Sequence, residues 1–271
     1  EKPITMNPFN ITQAELNIEK IDFLKNLILR IWKGSDTKIT ELEFRIVEQM
    51  VTDYYDAYFY GFDGYDPVQR ENLHKTLIAA EKRKGRWNAE NLPELEQKVD
   101  SKIRLLEERR KALKVNSLSF NTFYEYSCER LELICLENNI TEIDYDKYTY
   151  MIQPFYKGGN YDKILNENVD TTLFSETFIV FEVDAIKENK KLFPIVTLII
   201  MDVFLQKMRI KKNRKVLVIE EAWKAIASPL MAEYIKFMYK TARKFWASVG
   251  VVTQEIQDII GSEIVKEAII N

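Results

Sequence analysis

Two acidic residues in succession, Glu220 and Glu221, follow the apolar run KVLVI directly. A carboxylate pair at such a place can bind a cation, accept a proton from water, or cap the helix that follows. Thr253 and Gln254 stand in the same way after a second apolar run, SVGVV, and Asp184 follows a third, FIVFEV. Other chemistries have few residues to work with. His74 is the only histidine, so a Ser-His-Asp triad would have to use it, and it sits in the charged stretch ENLHKTLIAA, where a surface or partly buried role is expected. Cys128 and Cys135 are the only cysteines, so a zinc site made of His and Cys would need all three residues together. The step of seven residues from one cysteine to the other rises roughly 10 Å on a helix, too far for a disulfide. Both are expected as buried free thiols, and unpaired, sparse cysteine fits a reducing compartment.

The 271 residues suffice for one large domain or two smaller ones. An apolar content of 46% is too high for a disordered chain. With 39 basic against 42 acidic residues the charge is nearly balanced, which excludes a general cationic coat for nucleic acid but leaves room for a local patch. The longest apolar stretch, LFPIVTLIIM, contains Pro194 and ends at Asp202, well short of the roughly 20 residues that span a bilayer. No signal peptide is evident. The chain opens at Glu1 without an initiator methionine and closes on VKEAIIN inside an apolar-periodic segment, so the expectation is a piece of a longer polypeptide.

Three regions must position these groups. Residues 1–36 read as a short extended piece and a helix, with Ile21, Leu24, Leu27, Ile28 and Ile31 on one stripe and Gly34 as its stop. Residues 37–150 read as a charged, all-α subdomain. Thr40 and Glu43 predict a capping box, Phe44, Val47, Val51, Tyr54 and Tyr55 a buried face, and GFDGYDP a turn. Two further helices flank GRWNAENLP, and another is expected from Asn121 as its cap. Residues 151–271 alternate short apolar runs with helices, including one started by Ser228 and Pro229 and a closing helix over EIQDIIGSEIVKEAII. That order predicts a parallel α/β sheet, and runs that are apolar throughout predict strands covered on both faces.

In such sheets ligands bind beyond the carboxyl ends of the strands, where Asp184, Glu220, Glu221, Thr253 and Gln254 all fall. Four apolar residues and two acids form the Walker B pattern, in which one carboxylate serves a nucleotide-bound Mg²⁺ and the next polarises water. The competing reading is a strand-end acid that merely caps the next helix. Basic KIRLLEERRKALK could meet DNA phosphates or be a solvated helix face, and the aromatics of YYDAYFYGF could stack on bases or form core.

The combination of VLVIEEAWKAIASP, YKTARKFWASVGVVTQEIQDIIGS and IVKEAIIN resembles the C-terminal half of the motor domain of conjugative-transfer ATPases. These are the TraG-type and related ATPases of type IV secretion systems, within the FtsK/HerA-like group of RecA-fold motors. FYKGGNYDKILN, FIVFEVDAI and PITMNPFNI are similar to that family too. The resemblance covers residues 1–35 and 150–271, with the helical middle matching by position and character.

The resemblance implies a partial RecA-like P-loop NTPase core over residues 1–36 and 151–271 with an all-α insertion over 37–150. It implies ATP and Mg²⁺ as cofactors, Glu221 as the catalytic glutamate, Glu220 as the metal-side acid (more often Asp in the family), and Thr253 and Gln254 beside the γ-phosphate. Arg243 would reach nucleotide phosphate, often across a subunit boundary; a cation favoured by a helix C-terminus is the plain alternative for Arg243 and Lys244. A P-loop requires G-x-x-x-x-G-K-[ST], and no Gly-Lys-Ser/Thr occurs among the eight glycines. The chain is therefore expected to begin after the P-loop and to be inactive alone. Its expected setting is a motor that couples ATP hydrolysis to DNA or protein transfer, at the cytoplasmic face of a bacterial inner membrane, with other secretion subunits, with DNA, and in a homo-oligomer that resemblance makes hexameric. The alternative is a non-enzymatic interaction module of such a complex. A two-carboxylate glycosidase is disfavoured, because neighbouring acids cannot face each other across a substrate.

Overall fold

The computed structural model describes residues 6–34, 37–85, 87, 90–167, 176–189, 191–222, 226 and 229–270. They fall into two compact units. One comprises the described residues of 5–32 and 38–168, the other those of 33–37 and of 169 onward.

The first unit is helical: α1 (Ile18–Lys33, its last residue counted with the other unit), α2 (Glu41–Phe59), α3 (Pro67–Lys84), α4 (Leu92–Ala112), α5 (Phe120–Asn138), α6 (Tyr145–Ile152) and α7 (Asp162–Asn166). The helix starts follow from local chemistry. Thr40 accepts from the Glu43 N–H while the Glu43 carboxylate accepts from the Thr40 N–H, closing the expected capping box. Asp66 accepts from Val68 and Gln69, with Pro67 at the first helical position. α5 begins two residues earlier than expected: Ser119, not Asn121, is its cap, with Thr122 completing the box. The Asn121 side chain instead accepts from the Lys157 N–H.

Burial of amphipathic faces joins these helices. Leu73 and Leu77 of α3, Leu95, Val99, Ile103 and Leu106 of α4, and Leu133 of α5 form one core cluster. A second, aromatic cluster sits around Phe9, whose ring lies 5.2 Å from Phe123 and 6.3 Å from Tyr54. Tyr54 and Tyr55 are core, as helical spacing suggests, whereas Tyr58 and Tyr60 of the same run are exposed. Both cysteines are free; Cys128 is buried and Cys135 partly so.

Amid this core lies Arg130, completely buried. Its Nε donates to Asp53 at 2.7 Å and its two terminal nitrogens donate to Glu137 at 2.8 and 3.0 Å. Arg110 donates to the other Asp53 oxygen at 3.0 Å, and the Tyr65 hydroxyl donates to Glu137 at 2.6 Å. Burial alone would draw the Arg130 pKa down; Glu137 and Asp53 more than reverse it.

The second unit contains α8 (Leu192–Ile210), β1 (Lys215–Ile219), α9 (Pro229–Ala242), β2 (Ala247–Val251), α10 (Ile256–Ile260) and α11 (Glu263–Ile270). β1 and β2 pair in parallel, Lys215 opposite Ala247 through Ile219 opposite Val251. α9 is the crossover between them, and its buried Ile235, Met238 and Ala242 help cover the sheet and α8.

Several expectations are corrected here. FIVFEV is not a paired strand: residues 178–183 join no strand among the described residues, and Phe178 and Val180 are 82% and 71% exposed. A buried strand needs a ladder partner, and an apolar run alone does not supply one. Nor is the sheet covered on both faces. Val216 and Val218 are 68% and 56% exposed, so β1 alternates between a packed and an open side. The closing helix is two helices, broken at Gly261 and Ser262. Ser228 lies outside the described residues, while α9 does begin at Pro229.

Two measurements test the helical unit. Arg130→Met leaves Glu137 buried without its cation and Asp53 with Arg110 alone, and is expected to cost about 3–5 kcal/mol in urea unfolding. Burial also pushes the Tyr54 phenol up to about 12, and it raises Tyr65, Tyr126 and Tyr148 as well. Above pH ~10 the unfolded chain loses phenolic protons that the folded chain retains. Stability is therefore undiminished by these groups below pH ~10 and falls as pH rises towards the folded pKa values; a thermal midpoint constant from pH ~9 to ~12 would contradict this.

Candidate functional site

The parallel pairing decides what shares an edge. The ladder runs past the ends of both strands: the Val252 N–H donates to Ile219 O at 2.9 Å, and the Ala222 N–H donates to Val252 O at 3.0 Å. Glu220 and Glu221 are thereby held beside Val252, Thr253 and Gln254 at the carboxyl end of the sheet. The backbone turns sharply there. Glu221 has φ +48°, a left-handed conformation uncommon for a residue with a side chain, and such positions cluster at functional turns. Glu220, Glu221 and Gln254 are exposed and Thr253 is half-buried, its hydroxyl 3.5 Å from Glu255 O.

Asp184 opens a short 3₁₀ turn, Asp184–Ile186, and pairs with Lys187. Its bond to Asp184 raises the Lys187 pKa, and the field of Glu221 adds to this. The carboxylates of two segments, 184 and 221, therefore act on one ammonium group. Lys187 was not among the residues singled out from sequence; one lysine in KENKK carries no spacing signal.

Arg243 is elsewhere. It opens the turn Arg243–Phe245 immediately before β2, at the amino end of that strand, whereas Gln254 lies beyond its carboxyl end. Five residues of strand span roughly 16 Å, so the structure does not bring Arg243 together with Glu220, Glu221, Thr253 and Gln254 in one chain. Trp223, next to the acids in sequence, lies outside the described residues.

The donor set suits the metal and water side of a nucleotide site. Among the described residues no three His, Cys, Asp or Glu groups gather into a metal cage. Mg²⁺ on a nucleotide does not need one, since one or two carboxylates join phosphate oxygens and waters. The phosphate-cradling Gly-Lys-Ser/Thr is not in this sequence.

The other candidates resolve differently. In the basic stretch of α4, Arg109 is taken by Glu129 and Glu132, Arg110 by Asp53 and Lys111 by Glu107. These cations serve the fold and are not a free phosphate-binding row. His74 stands 4.0 Å from Asp100 on the α3–α4 surface.

Comparison with known proteins bears on the fold and the family. A solved structure of VirB4 of Thermoanaerobacter pseudethanolicus superposes with a TM-score of 0.54 at 16% identity, covering 98% of this chain and 57% of that one. At that identity the likeness concerns the fold. The type IV secretion system protein CagE of Helicobacter pylori (strain ATCC 700392 / 26695) is 32% identical over 99 residues, which is 36% of this chain and 10% of that protein. The chain thus spans a tenth of the curated relative and 57% of the solved one. The TraG P-loop domain matches residues 1–63 and 57–271, and the chain belongs to that family of conjugative-transfer ATPases.

Proposed function

We propose that this chain supplies the acid and sensor half of a RecA-like ATPase core in a motor of conjugation or type IV secretion. On this reading residues 1–36 and 151–271 belong to the core and residues 37–150 are a helical insertion. The observation that carries it is the parallel pairing of β1 and β2, which holds Glu220 and Glu221 beside Thr253 and Gln254 at one sheet edge.

The roles follow from chemistry. When bound, ATP·Mg²⁺ supplies the electrophilic phosphoryl group and neutralises its oxygens. Glu220 would hold the metal side, directly or through water, and its length relative to Asp places the carboxylate one bond further from the strand. Glu221 orients a water and accepts its proton. Gln254, with Thr253, orients the same water from the next strand. Arg243, at the far end of β2, can serve only another copy's nucleotide. The phosphate cradle comes from a Gly-Lys-Ser/Thr loop outside this sequence, so the chain alone neither binds ATP tightly nor hydrolyses it. The motor works with other subunits of the apparatus and with DNA or protein as cargo, at the cytoplasmic face of the membrane. No helix among the described residues is long and apolar enough to cross a bilayer.

One observation favours a second reading, an interaction module: the sequence lacks any Gly-Lys-Ser/Thr. The two separate experimentally. In the polypeptide that joins this chain to a P-loop, Glu221→Gln is expected to lower ATP turnover about 10²-fold while nucleotide binding persists. Unchanged turnover would remove the ATPase assignment. ATP turnover by the isolated chain, abolished by Glu221→Gln, would contradict its inactivity alone.

A further inference from the structure

A cavity of about 360 Å³ opens in the helical unit where α2 gives way to α3. Its lining is one-sided in charge. Asp53, Asp56, Asp63 and Asp66 contribute carboxylates, and Arg110 is the one cationic residue among the lining groups. Asp53 is already engaged, by Arg110 at 3.0 Å and by the buried Arg130 at 2.7 Å. Asp66 is engaged at the start of α3, where it accepts from the N–H groups of Val68 and Gln69. Asp56 and Asp63 differ: among the described residues neither carboxylate accepts a hydrogen bond or forms an ion pair. Burial raises the Asp56 pKa and the Asp53 charge raises it further, with Arg110 only partly offsetting them. The fold thus holds a carboxylate against like charge in the wall of an open cavity.

The walls are aromatic as well as acidic, and Arg110 displays how they treat a cation. Its guanidinium carbon lies 4.1 Å from the Phe62 ring centre and 5.7 Å from that of Tyr65, while its nitrogen donates to Asp53. Tyr60 offers a further ring, 67% exposed, whose hydroxyl accepts from Gln13 Nε2 at 2.5 Å, so the ring is tethered at its tip. Tyr60 with Asp56 and Asp63 repeats the combination that already holds Arg110, an aromatic face beside a carboxylate. That combination suits a planar guanidinium, which stacks on rings and donates to a carboxylate through two N–H groups at once. The donors do not suit a metal cage, since no three His, Cys, Asp or Glu groups gather among the described residues.

We propose that this cavity receives an arginine side chain from a basic segment of a partner protein, with Asp56 and Asp63 pairing with the guanidinium and Tyr60 covering it. The lining residues all belong to the helical unit, and none is shared with the strand ends that carry Glu220, Glu221, Thr253 and Gln254. The contact requires neither nucleotide nor hydrolysis, so it stands or falls separately from the ATPase reading.

The test is nuclear magnetic resonance of this chain with a short capped peptide that holds one arginine between glycines. The peptide is expected to move the backbone amide signals of Gly61 to Gly64 in a saturating way, and to bind more weakly as salt rises. Its counterpart with neutral citrulline is expected to leave those signals unmoved. Asp56→Asn combined with Asp63→Asn is expected to raise the dissociation constant about tenfold or more. Neither carboxylate has a bond to lose and Asp56 is opposed by Asp53, so the thermal midpoint at pH ~7 is expected to hold or rise. A merely structural role for the two acids would lower it. Asp146→Asn, which removes an exposed charge from α6, is expected to change neither binding nor midpoint. Shifts spread over the acidic surface without saturation, equal binding of the citrulline peptide, or unchanged affinity in the double variant would each overturn the proposal. So would guanidinium chloride that moves the same signals as strongly as the peptide at equal concentration, because the cavity would then take a small cation and not a partner's segment. Should the double variant fail to fold, Asp63→Asn alone, at an exposed position of the turn, decides.

Discussion

The parallel hydrogen bonding of β1 to β2 is the constraint from which the functional layout follows. A parallel pair cannot be closed by a tight turn, so the chain must return along the length of the sheet, here through α9. That return sends both strands in the same direction. Whatever follows each strand then meets at one edge, and whatever precedes β2 is carried to the other. Glu220, Glu221, Thr253 and Gln254 share an edge for this reason, and Arg243 and Trp246 are excluded from it for the same reason. The left-handed backbone at Glu221 and at Trp246 marks the two places where the chain turns hardest at the strand ends.

The helical unit solves a different problem. Its interior contains an arginine with no access to water, and a lone buried guanidinium would be prohibitively unfavourable. Asp53 and Glu137 grip it from α2 and α5; Arg110 takes the second Asp53 oxygen, and Tyr65 donates to the Glu137 Oε1 that also accepts from Arg130. Every member is partnered, so the network is tolerable and it specifies how α2, α4 and α5 meet. It also draws in Arg110, one of the cations that the sequence of α4 offers to solvent. The same helix loses Arg109 and Lys111 to acids on α5 and on α4 itself. Three of the cations that look in one dimension like a basic row are, once folded, neutralised internally.

Local signals in the sequence were legible where the physics is local. Helices α1 to α5 and the Thr40–Glu43 box follow from neighbours within four residues, and the free thiols from a spacing of seven that a helix cannot close; Pro67 after its Asp66 cap lay inside a run that reads as a turn. The shift of the α5 cap from Asn121 to Ser119 shows the limit of such signals. Both residue types can cap, and the choice fell to Ser119 while Asn121 bonds with Lys157, far along the chain. FIVFEV shows a stronger limit. Its composition suits a buried strand, yet strand formation is a property of a pair, and no partner is set by the segment itself.

For the candidate site the division is clear. The sequence by itself determined the inventory: two acids after one apolar run, Thr-Gln after another, one histidine, and no Gly-Lys-Ser/Thr. Those are facts of residue type and adjacency. Only the tertiary structure decided that the acids and Thr-Gln are neighbours, that Lys187 sits within the field of both Asp184 and Glu221, and that Arg243 and Trp246 stand at the opposite end of the sheet. These relations cross more than twenty residues of chain. They depend on which strand pairs with which and in what direction, and that choice is made by burial summed over whole elements, which no short stretch of sequence contains.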